Sequence, residues 1–557
     1  MIPNNKHRIF TAMTLAGCLA SSAAMAAPVN PGVAMKEVES TSPQRRLGQA
    51  SGITMPTRPP MNAPAGAMQL DLKDFSITGN TVFSEQSLAH LVSEFVGKRN
   101  SFADLLRAAN KITNFYRDAG YLVARAYVPE QEIQNGIVEI VVTEGRVGDV
   151  KVTNQSPANS GMVNRYIAGI QSGTVVSRDN VERTMLLLND LPGVNAKATF
   201  SVGQQQGTTD LDVNLSAGPR ISGAIDANNF GSDVTGQGRI GGSLYVNSLT
   251  GLGDMLGLRV LTSEDGGTVY GSIDYSLALG GRGTRMGIRY STLDSDVGDT
   301  FSSLDLESSA ETAGLFVTHP FKRGRYMNLI GQTSVERRTV DQEFGGALTG
   351  VSSEDSVNVF AVGMTGDYRD SIGSGGLSNF GLSLQFGLDD LGAKSSRIGG
   401  EGQFAKAELS YQRLQQLSDG MSLRLRFAGQ FTDDPLVSSE QISLGGPNAV
   451  RAFVNGEGLA DSGFILTGEL QYQLPIRNTF LNSARLVGFY DFGTGQINDA
   501  LPGVDDSFRR EGVGIGLKVG VIGNYQLDLS YAHTASGKST TDDDDGQFLI
   551  QAIKWFD

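Results

Sequence analysis

Two charged residues in the C-terminal half of the chain have the types and settings that an internal ion pair requires. Arg451 stands in a glycine-rich loop, and Asp491 stands in a predicted strand; the two stretches read Gly445-Gly446-Pro447-Asn448-Ala449-Val450-Arg451-Ala452-Phe453 and Phe489-Tyr490-Asp491-Phe492-Gly493. A guanidinium and a carboxylate can form a two-point, charge-assisted hydrogen bond. The pattern therefore predicts a loop that folds against a strand wall and is held there by one ion pair, as a gated pore requires.

Residues suited to covalent or metal chemistry are scarce. The single cysteine, Cys18, excludes a disulfide framework and a cysteine zinc site. The segment His533-Thr534-Ala535-Ser536 lies at a predicted strand end before a charged loop, and we interpret it as structural, not as part of a hydrolase triad. The four acids at 542–545 cannot converge on one calcium ion without a tight turn, and Gly251-x-Gly253 lacks the strand-to-helix context of a dinucleotide site. We therefore predict no enzymatic activity, no cofactor and no metal.

Composition narrows the class of protein further. The 557 residues carry a formal net charge of −14 and include 71 glycines. No basic stripe is present that could neutralise phosphates, so a nucleic-acid partner is not expected. Beyond the N-terminus no stretch approaches the ~20 apolar residues of a membrane helix. Alternating strands of a membrane barrel remain compatible with this composition, because they do not raise the average hydropathy.

The N-terminal region predicts export. A basic start at Lys6, an apolar stretch up to Ala20 and the small-residue site Ala24-Met25-Ala26 form a signal peptide at residues 1–26. The alternative is a lipoprotein box, Leu15-Ala16-Gly17-Cys18, which would lipidate Cys18. Residues 27–68 are rich in proline and small residues and are predicted to be flexible. Within them, positions 33–47 have a helical pattern that Pro43 interrupts.

Two α+β units are predicted next, at residues 69–145 and 146–218. In the first, a strand at Phe75 and Ile77 precedes two helical stripes, the earlier capped by Ser84, and strands follow at 123–128 and 137–143. The second unit repeats this order with weaker signals: a strand at 150–152, a helix at 179–191, and two strands at 196–202 and 211–215 that pair with each other.

Residues 219–557 alternate apolar and polar side chains throughout. One strand has Phe380, Leu382 and Leu384 on one face and Gly381, Ser383 and Gln385 on the other. A span of this length, behind a signal peptide and without cysteine, favours a membrane barrel over a soluble sandwich. At ~10 residues per strand plus turns, it predicts about 16 transmembrane strands. The fold class is therefore mainly β, a barrel preceded by two α+β units.

These motifs resemble those of a known family. Val450-Arg451-Ala452-Phe453 is similar to the Val-Arg-Gly-Phe/Tyr loop motif, and Phe489-x-Asp491-x-Gly493 to the Phe-x-Asp-x-Gly wall motif, of the two-partner secretion transporters (TpsB type, FhaC/ShlB/HecB-like). The α+β units resemble polypeptide-transport-associated (POTRA) domains. Ala452 departs from the family's glycine: the turn is strained if that position needs a positive φ, and tolerated if it needs only a close approach of backbones.

The resemblance implies an outer-membrane translocator that secretes an unfolded exoprotein from the periplasm to the cell surface. Its partner would be an adhesin, a haemolysin or a contact-dependent toxin, its surroundings outer-membrane lipid, and its expected state a monomer with POTRA domains in the periplasm. The N-terminal helical pattern would be a plug, which the residues leave open. Two alternatives also remain open: a factor that inserts other barrels, and a passive porin.

Overall fold

The computed structural model describes residues 30–43, 53–54, 69–205, 207–298, 305–346, 349–389, 395–396, 402–476, 480–500, 502–503, 505–539 and 545–557. The predicted signal peptide and Cys18 lie outside these residues. Within them, no helix is long and apolar enough to cross a membrane.

The described part of the chain begins with a helix inside the barrel, α1 (Pro31–Thr41). The Asn30 side chain accepts hydrogen bonds from Gly32 N and Val33 N, and Pro31 occupies a first-turn position that needs no N–H donor. Within the segment 27–68, for which the sequence left a helix open, residues 31–41 form a buried helix. The two-residue strand β1 (Ile53–Thr54) follows.

The first α+β unit has the predicted order of strand, two helices and two strands. Ser84 caps its first helix as predicted, and the apolar helical faces cover the sheet, with Leu88, Ile112 and Tyr116 almost fully buried. The sheet order is β3-β6-β5, with β3 parallel to β6. The elements are β2 (Gln69–Asp71), β3 (Asp74–Thr78), α2 (Glu85–Val92), β4 (Arg99–Ser101), α3 (Phe102–Asp118), β5 (Arg125–Tyr127) and β6 (Ile137–Thr143).

The second unit forms a four-stranded sheet of order β1-β8-β9-β7, to which the distant strand β1 contributes. The sequence predicted its strands and its later helix. It did not predict the short helix capped by Asn159. The elements are β7 (Arg146–Gln155), α4 (Ser160–Ile167), α5 (Arg178–Asn189), β8 (Val194–Val202) and β9 (Thr208–Ala217).

Sixteen strands of the described chain close into an antiparallel barrel, as the sequence predicted. The first strand pairs with the last, from Gly223 opposite Phe556 to Asn228 opposite Gln551. The strands are β10 (Ile221–Asn228), β11 (Arg239–Asn247), β12 (Met255–Ser263), β13 (Thr268–Leu279), β14 (Thr284–Val297), β15 (Leu306–Arg323), β16 (Met327–Phe344), β17 (Val351–Asp370), β18 (Gly376–Asp389), β19 (Gln403–Ser418) and β20 (Met421–Phe431); a loop with the short pair β21 (Ile442–Ser443) and β22 (Leu459–Ala460) precedes β23 (Ser462–Gln473), β24 (Ser483–Gln496), β25 (Ser507–Val521), β26 (Tyr525–Ser536) and β27 (Gly546–Phe556).

The two faces of the barrel wall differ in chemistry. Large apolar side chains such as Ile288, Leu315 and Phe360 are exposed on the outer face. The inner face carries buried ion pairs, for example Arg259 Nη1 to Asp226 Oδ1 at 2.8 Å. An apolar outside and a polar inside are what a membrane barrel requires.

The second unit is attached to the barrel by a two-point ion pair near the turn between β15 and β16. Arg323 Nε and Nη2 each lie 2.8 Å from the carboxylate of Asp190, at the end of α5. The turn at Gly251 and Gly253, both with positive φ, packs against the same unit, since Gly251 O accepts from Asn159 N at 2.9 Å. This glycine pair is a turn, as the sequence indicated.

Candidate functional site

The segment between β20 and β23, residues 432–461, folds into the barrel lumen and is called the lumen loop below. Its tip is a tight turn closed by backbone hydrogen bonds from Gly446 N to Phe453 O, 2.9 Å, and from Val450 N to Leu444 O, 2.9 Å. Gly446 has a φ of 124°, which side-chain-bearing residues rarely adopt. The turn aims the next residue, Arg451, at the wall.

Arg451 binds Asp491 on β24 in the two-point arrangement that the sequence predicted. Arg451 Nε lies 2.8 Å from Asp491 Oδ2, and Arg451 Nη2 lies 2.9 Å from Asp491 Oδ1. The backbone N–H of Arg451 also donates to Asp491 Oδ2, at 3.2 Å. Asp491 is fully buried. One carboxylate therefore fixes both the side chain and the backbone of the loop tip.

The remaining surfaces of the guanidinium are also occupied. Its carbon lies 3.4 Å from the ring centre of Phe489, a stacked cation–π contact. Arg451 Nη1 lies 3.3 Å from Glu469 Oε2 on β23. Glu469 is shared, because Lys518 Nζ and Arg424 Nη1 approach its other oxygen at 3.5 and 3.7 Å. The sequence analysis assigned no site role to these last three residues.

Packing at the loop tip explains the unusual residue Ala452. Its φ is not positive, so the turn does not need glycine there. The residue that must lack a side chain is on the wall, because a Cβ added at Gly512 on β25 would lie only 2.9 Å from Ala452 Cβ. Likewise, a Cβ at Gly493 would lie 3.0 Å from Val450 Cγ2. The close approach of the two backbones is therefore made possible by the wall glycines Gly512 and Gly493. Because the φ of Ala452 is not positive, the alternative of a strained turn is excluded.

The other loop-motif residues form a small apolar core with the wall. Val450, Ala452 and Phe453 are buried and contact Val487 and Phe489. Apolar burial therefore accompanies the ion pair. All seven residues that the sequence analysis placed in the loop and wall motifs come together at this one contact; they are Val450, Arg451, Ala452, Phe453, Phe489, Asp491 and Gly493.

Helix α1 lies beside the lumen loop and is held to the opposite wall by a second buried ion pair. Arg239 Nη1 and Nη2 lie 2.8 and 3.0 Å from the two oxygens of Glu37. Both side chains are nearly fully buried, at 4% and 6% exposure. Met35 and Val38 pack against an apolar patch of the wall that includes Leu293. The predicted helical pattern is thus a helix that occupies the lumen.

A fully buried carboxylate, Glu440, connects helix and loop. Arg338 Nη1 lies 2.9 Å from both oxygens of Glu440, and Lys406 Nζ lies 2.8 Å from one of them. Lys36 of α1 is more distant, at 3.8 Å, and its side chain is 40% exposed. Lys36 also donates to Ser439 O. The wall cations therefore hold Glu440 more closely than the helix does.

Free space remains between these elements. A cavity of about 330 Å³ is bounded by Ser40 and Thr41 of the helix, Pro447 of the loop and Lys518 of the wall. A second cavity, of about 420 Å³, lies between α1 and the other side of the loop. The helix is thus not packed as tightly against the loop as the loop is against the wall.

Other residues considered from the sequence do not form a site. His533 is exposed on β26, and Ser536 ends that strand. Among the described residues, no three His, Cys, Asp or Glu side chains converge as metal ligands. Residues 542–544 lie outside the described part of the chain.

Comparison with known proteins agrees with this geometry. Residues 207–519 match the family described as haemolysin secretion/activation protein ShlB/FhaC/HecB, and residues 70–145 match the ShlB-type POTRA domain. The Heme/hemopexin transporter protein HuxB of Haemophilus influenzae (strain 86-028NP) is 30% identical over 486 residues, 84% of each chain. The outer membrane transporter CdiB of Dickeya dadantii (strain 3937) is 23% identical and covers 85% of this chain and 87% of its own.

A solved structure shows the same fold. CdiB from Escherichia coli superimposes with a TM-score of 0.71 at 21% identity and covers 90% of this chain and 93% of its own. The resemblance that the loop and wall motifs indicated is confirmed. The chain therefore belongs to the haemolysin secretion/activation family ShlB/FhaC/HecB, as an outer-membrane transporter of two-partner secretion that passes an exoprotein to the cell surface and has periplasmic POTRA domains.

Proposed function

We propose that the two elements in the lumen have different roles: the lumen loop is a fixed partition, and α1 is the closure that leaves when the exoprotein passes. The observation that carries this proposal is the contact between Arg451 and Asp491, in which one fully buried carboxylate accepts three hydrogen bonds from one loop residue. Helix α1 makes one buried two-point pair, between Glu37 and Arg239, and its Lys36 is 40% exposed.

Energetics support this division of roles. Removing one partner of a buried, hydrogen-bonded ion pair costs ~3–5 kcal/mol, because the other charge stays buried without a partner. Freeing the loop would break two buried contacts, that of Arg451 with Asp491 and that of Glu440 with the wall cations Arg338 and Lys406. Freeing α1 would break one buried pair, Glu37 with Arg239, and would leave Glu440 with its two closer cations. The loop is therefore the more costly element to displace.

The division of the chain belongs to the same proposal. A signal peptide at 1–26 is removed, residues 27–68 carry the closing helix and a connection, and units at 69–145 and 146–218 receive the exoprotein ahead of the barrel at 219–557. The ShlB-type POTRA match at 70–145 supports the first unit. In this proposal the chain is a monomer whose outer wall contacts lipid directly. The exposed apolar side chains of that wall, Val260 and Ile515 among them, support the lipid contact.

The exoprotein itself can be ranked by similarity. HuxB, the Heme/hemopexin transporter, is 30% identical to this chain, whereas the CdiB of Dickeya dadantii is 23% identical and the haemolysin transporter ShlB of Serratia marcescens 25%. An exoprotein concerned with haem or hemopexin is therefore the first cargo to test. Haemolysins and contact-dependent toxins follow.

The cargo is identified by comparing proteins of the cell surface and the medium between cells with the gene and cells lacking it. Loss of one large exported protein is expected and names the cargo. Depletion of many other barrels from the outer membrane would instead show a barrel-assembly factor. An unchanged set of exported proteins, with a steady open conductance of the purified barrel, would show a porin.

The role of the loop contact is tested with Arg451→Ala. The barrel should still insert, because the sixteen strands do not depend on this residue, but secretion should fall at least tenfold as the loop tip leaves the wall. Arg413→Ala is the matched control: Arg413 makes an equivalent two-point pair with Asp370, at 2.8 and 3.0 Å, in the barrel wall away from the loop. Secretion by inserted Arg451→Ala at the level of the control would defeat the proposal.

A further inference from the structure

A groove of about 620 Å³ runs across the outer wall of the barrel, over strands β16 to β19. Its floor is a row of apolar side chains in register: Val335 lies opposite Phe360, and Phe360 lies opposite Phe386. All three side chains are exposed. The two phenyl rings are stacked, with their centres 6.5 Å apart. The floor is therefore an apolar surface that the described part of the chain leaves open.

A second row of side chains lies two residues further toward the extracellular ends of the same strands. Arg337 lies opposite Asn358, whose other neighbour is Leu388. Gln403 ends the row, opposite Leu388. Arg337 is exposed, and its guanidinium has no hydrogen bond or ion pair with any residue that the structure describes. The groove thus joins an apolar floor to a polar upper edge that has an unpaired cation at one end.

The carboxylates near this edge are already hydrogen-bonded. On β15, Glu311 lies diagonally from Arg337 and accepts a hydrogen bond from Tyr290 Oη at 3.1 Å. At the far end of the groove, Asp434 accepts from Ala405 N at 2.7 Å. Three strand spacings, about 14 Å in all, separate that end of the groove from Arg337. The guanidinium of Arg337 is therefore available to a further anion.

The height of Arg337 on the wall places it at the level of lipid headgroups. Along β17, the outward row begins with Tyr368, which lies opposite Met327 beside the turn that contacts the second unit, and it reaches Asn358 ten positions away. At about 3.4 Å per residue and a tilt of about 40°, these ten positions rise about 26 Å. The apolar band of a membrane barrel is about 25 Å tall. Asn358 and Arg337 therefore lie at the extracellular boundary of the membrane.

We propose that this groove binds a phosphorylated glycolipid of the extracellular leaflet, lipid A, with a phosphate at Arg337 and acyl chains against Phe360 and Phe386. A guanidinium forms two parallel hydrogen bonds with a phosphate, and such charge-assisted bonds are stronger than neutral ones. The side-chain amides of Asn358 and Gln403 can donate to and accept from the sugar hydroxyls. The site depends on the outer-membrane location of the chain and not on the roles proposed for the lumen loop and α1.

The surroundings of the groove favour a glycolipid over other anions. Its floor is continuous with the exposed apolar wall, where Val362 and Met364 are the next outward residues of β17, so acyl chains already surround it. A soluble phosphate would contact Arg337 and leave the apolar floor uncovered. The polar edge extends over four strands, about 14 Å, which suits a headgroup of two sugars better than the single phosphate of a phospholipid.

Binding of purified lipid A to the full-length transporter in detergent tests the site. It is measured by native mass spectrometry with a chelator present, so that no divalent cation bridges phosphate and protein. Arg337→Gln should lower the affinity at least tenfold and, because Arg337 is exposed, should not disturb folding. The matched control is Arg509→Gln. Arg509 is also an exposed arginine of the outer wall, but it is paired with Glu511, and its guanidinium carbon lies 4.8 Å from the ring centre of Phe492. This control should bind lipid A as the unmodified chain does.

Lipid A without its phosphates provides the second arm of the test. Removal of the phosphates should weaken binding to the unmodified chain as much as Arg337→Gln does. It should have little further effect on that variant, since both changes break the same contact. Phe360→Ala should instead weaken the binding of both forms of the lipid, because it removes part of the apolar floor.

Two results would overturn the proposal. One is an affinity of the unmodified chain for lipid A no higher than for phosphatidylglycerol. The other is binding of lipid A by Arg337→Gln as tight as by the Arg509→Gln control. Failure of the proposed roles of the loop and the helix is separate, because Arg337→Gln leaves Arg451, Asp491 and all of α1 unchanged.

Discussion

The ion pair between Glu37 and Arg239 should determine how often the lumen helix leaves the barrel. Glu37→Gln keeps the shape of the side chain and removes its charge. The glutamine oxygen can still accept one hydrogen bond from Arg239. Arg239 also keeps the hydrogen bond that its Nε donates to Asn228 Oδ1, at 3.1 Å. The substitution should therefore weaken the binding of α1 to the barrel wall without changing the packed volume of the side chain.

The size of the effect follows from burial. Breaking a fully buried pair costs ~3–5 kcal/mol. The hydrogen bond that glutamine retains, together with the open space of the cavity beside Glu37, reduces this cost to about 2 kcal/mol. At 1.4 kcal/mol for each factor of ten, the ratio of open to closed barrels should rise roughly 30-fold. Arg239→Gln should have a similar effect, and the double variant should add little, because both single changes break the same contact.

The assay is single-channel recording in planar bilayers at about 0.15 M salt, where charges closer than about 8 Å are not fully screened. The matched control is Glu39→Gln, on the same helix but exposed, with longer hydrogen bonds to Ser291 and Tyr270 of 3.1 and 3.4 Å. An open fraction for Glu37→Gln no higher than for this control, in barrels that both fold, would refute the reasoning.

Two further predictions concern other parts of the chain. In the first α+β unit, burial opposes ionisation of Glu144, but hydrogen bonds from Thr81, Val82 and Tyr116 outweigh it and hold its pKa below the usual value. This stabilisation is present above the unfolded pKa of about 4.3 and is lost as the pH falls through the lower folded value. Glu144→Gln should therefore destabilise the unit by about 1–3 kcal/mol at pH 7 and flatten its acid dependence; hydrogen exchange of residues 69–145 in the full chain measures both, and an unchanged acid profile would contradict the assignment. At the loop tip, Gly512→Ala should unseat the lumen loop at a cost of about 1–3 kcal/mol, because the new Cβ would lie 2.9 Å from Ala452 Cβ. Adding Ala452→Gly should restore secretion and protease resistance of the loop, and no rescue would show that the two positions do not compete for space.

The fold could be predicted where local patterns carry the information. The helices of the first α+β unit follow a 3.6-residue stripe behind a capping serine, and the barrel strands alternate along their whole length. The contact between Arg451 and Asp491 could be predicted because both residues lie in recognisable motifs. Helix α1 was visible as a pattern at 33–47, and Asn30 and Pro31 account for its earlier start.

Other features could not be read from the sequence, because their partners are distant along the chain. Arg239 lies some 200 positions from Glu37, and the cations around Glu440 come from two different strands and the lumen helix. Strand β1 has only two paired residues, too few for a periodic signal. Arg424 and Glu469 lie in the alternating region 219–557, but alternation does not show which loop residue a wall side chain meets.

The width of α1 sets a size limit for the cargo. If the lumen loop stays in place, the passage is the volume that the helix vacates, about 10–12 Å across with side chains. A folded domain of 100 residues has a radius of gyration of about 13 Å and is too wide. The exoprotein must therefore cross as an unfolded thread. Once a segment folds outside, return would require unfolding it, at about 5–15 kcal/mol for a domain. Because a folded segment cannot re-enter the narrow passage, folding outside makes export directional without nucleotide hydrolysis.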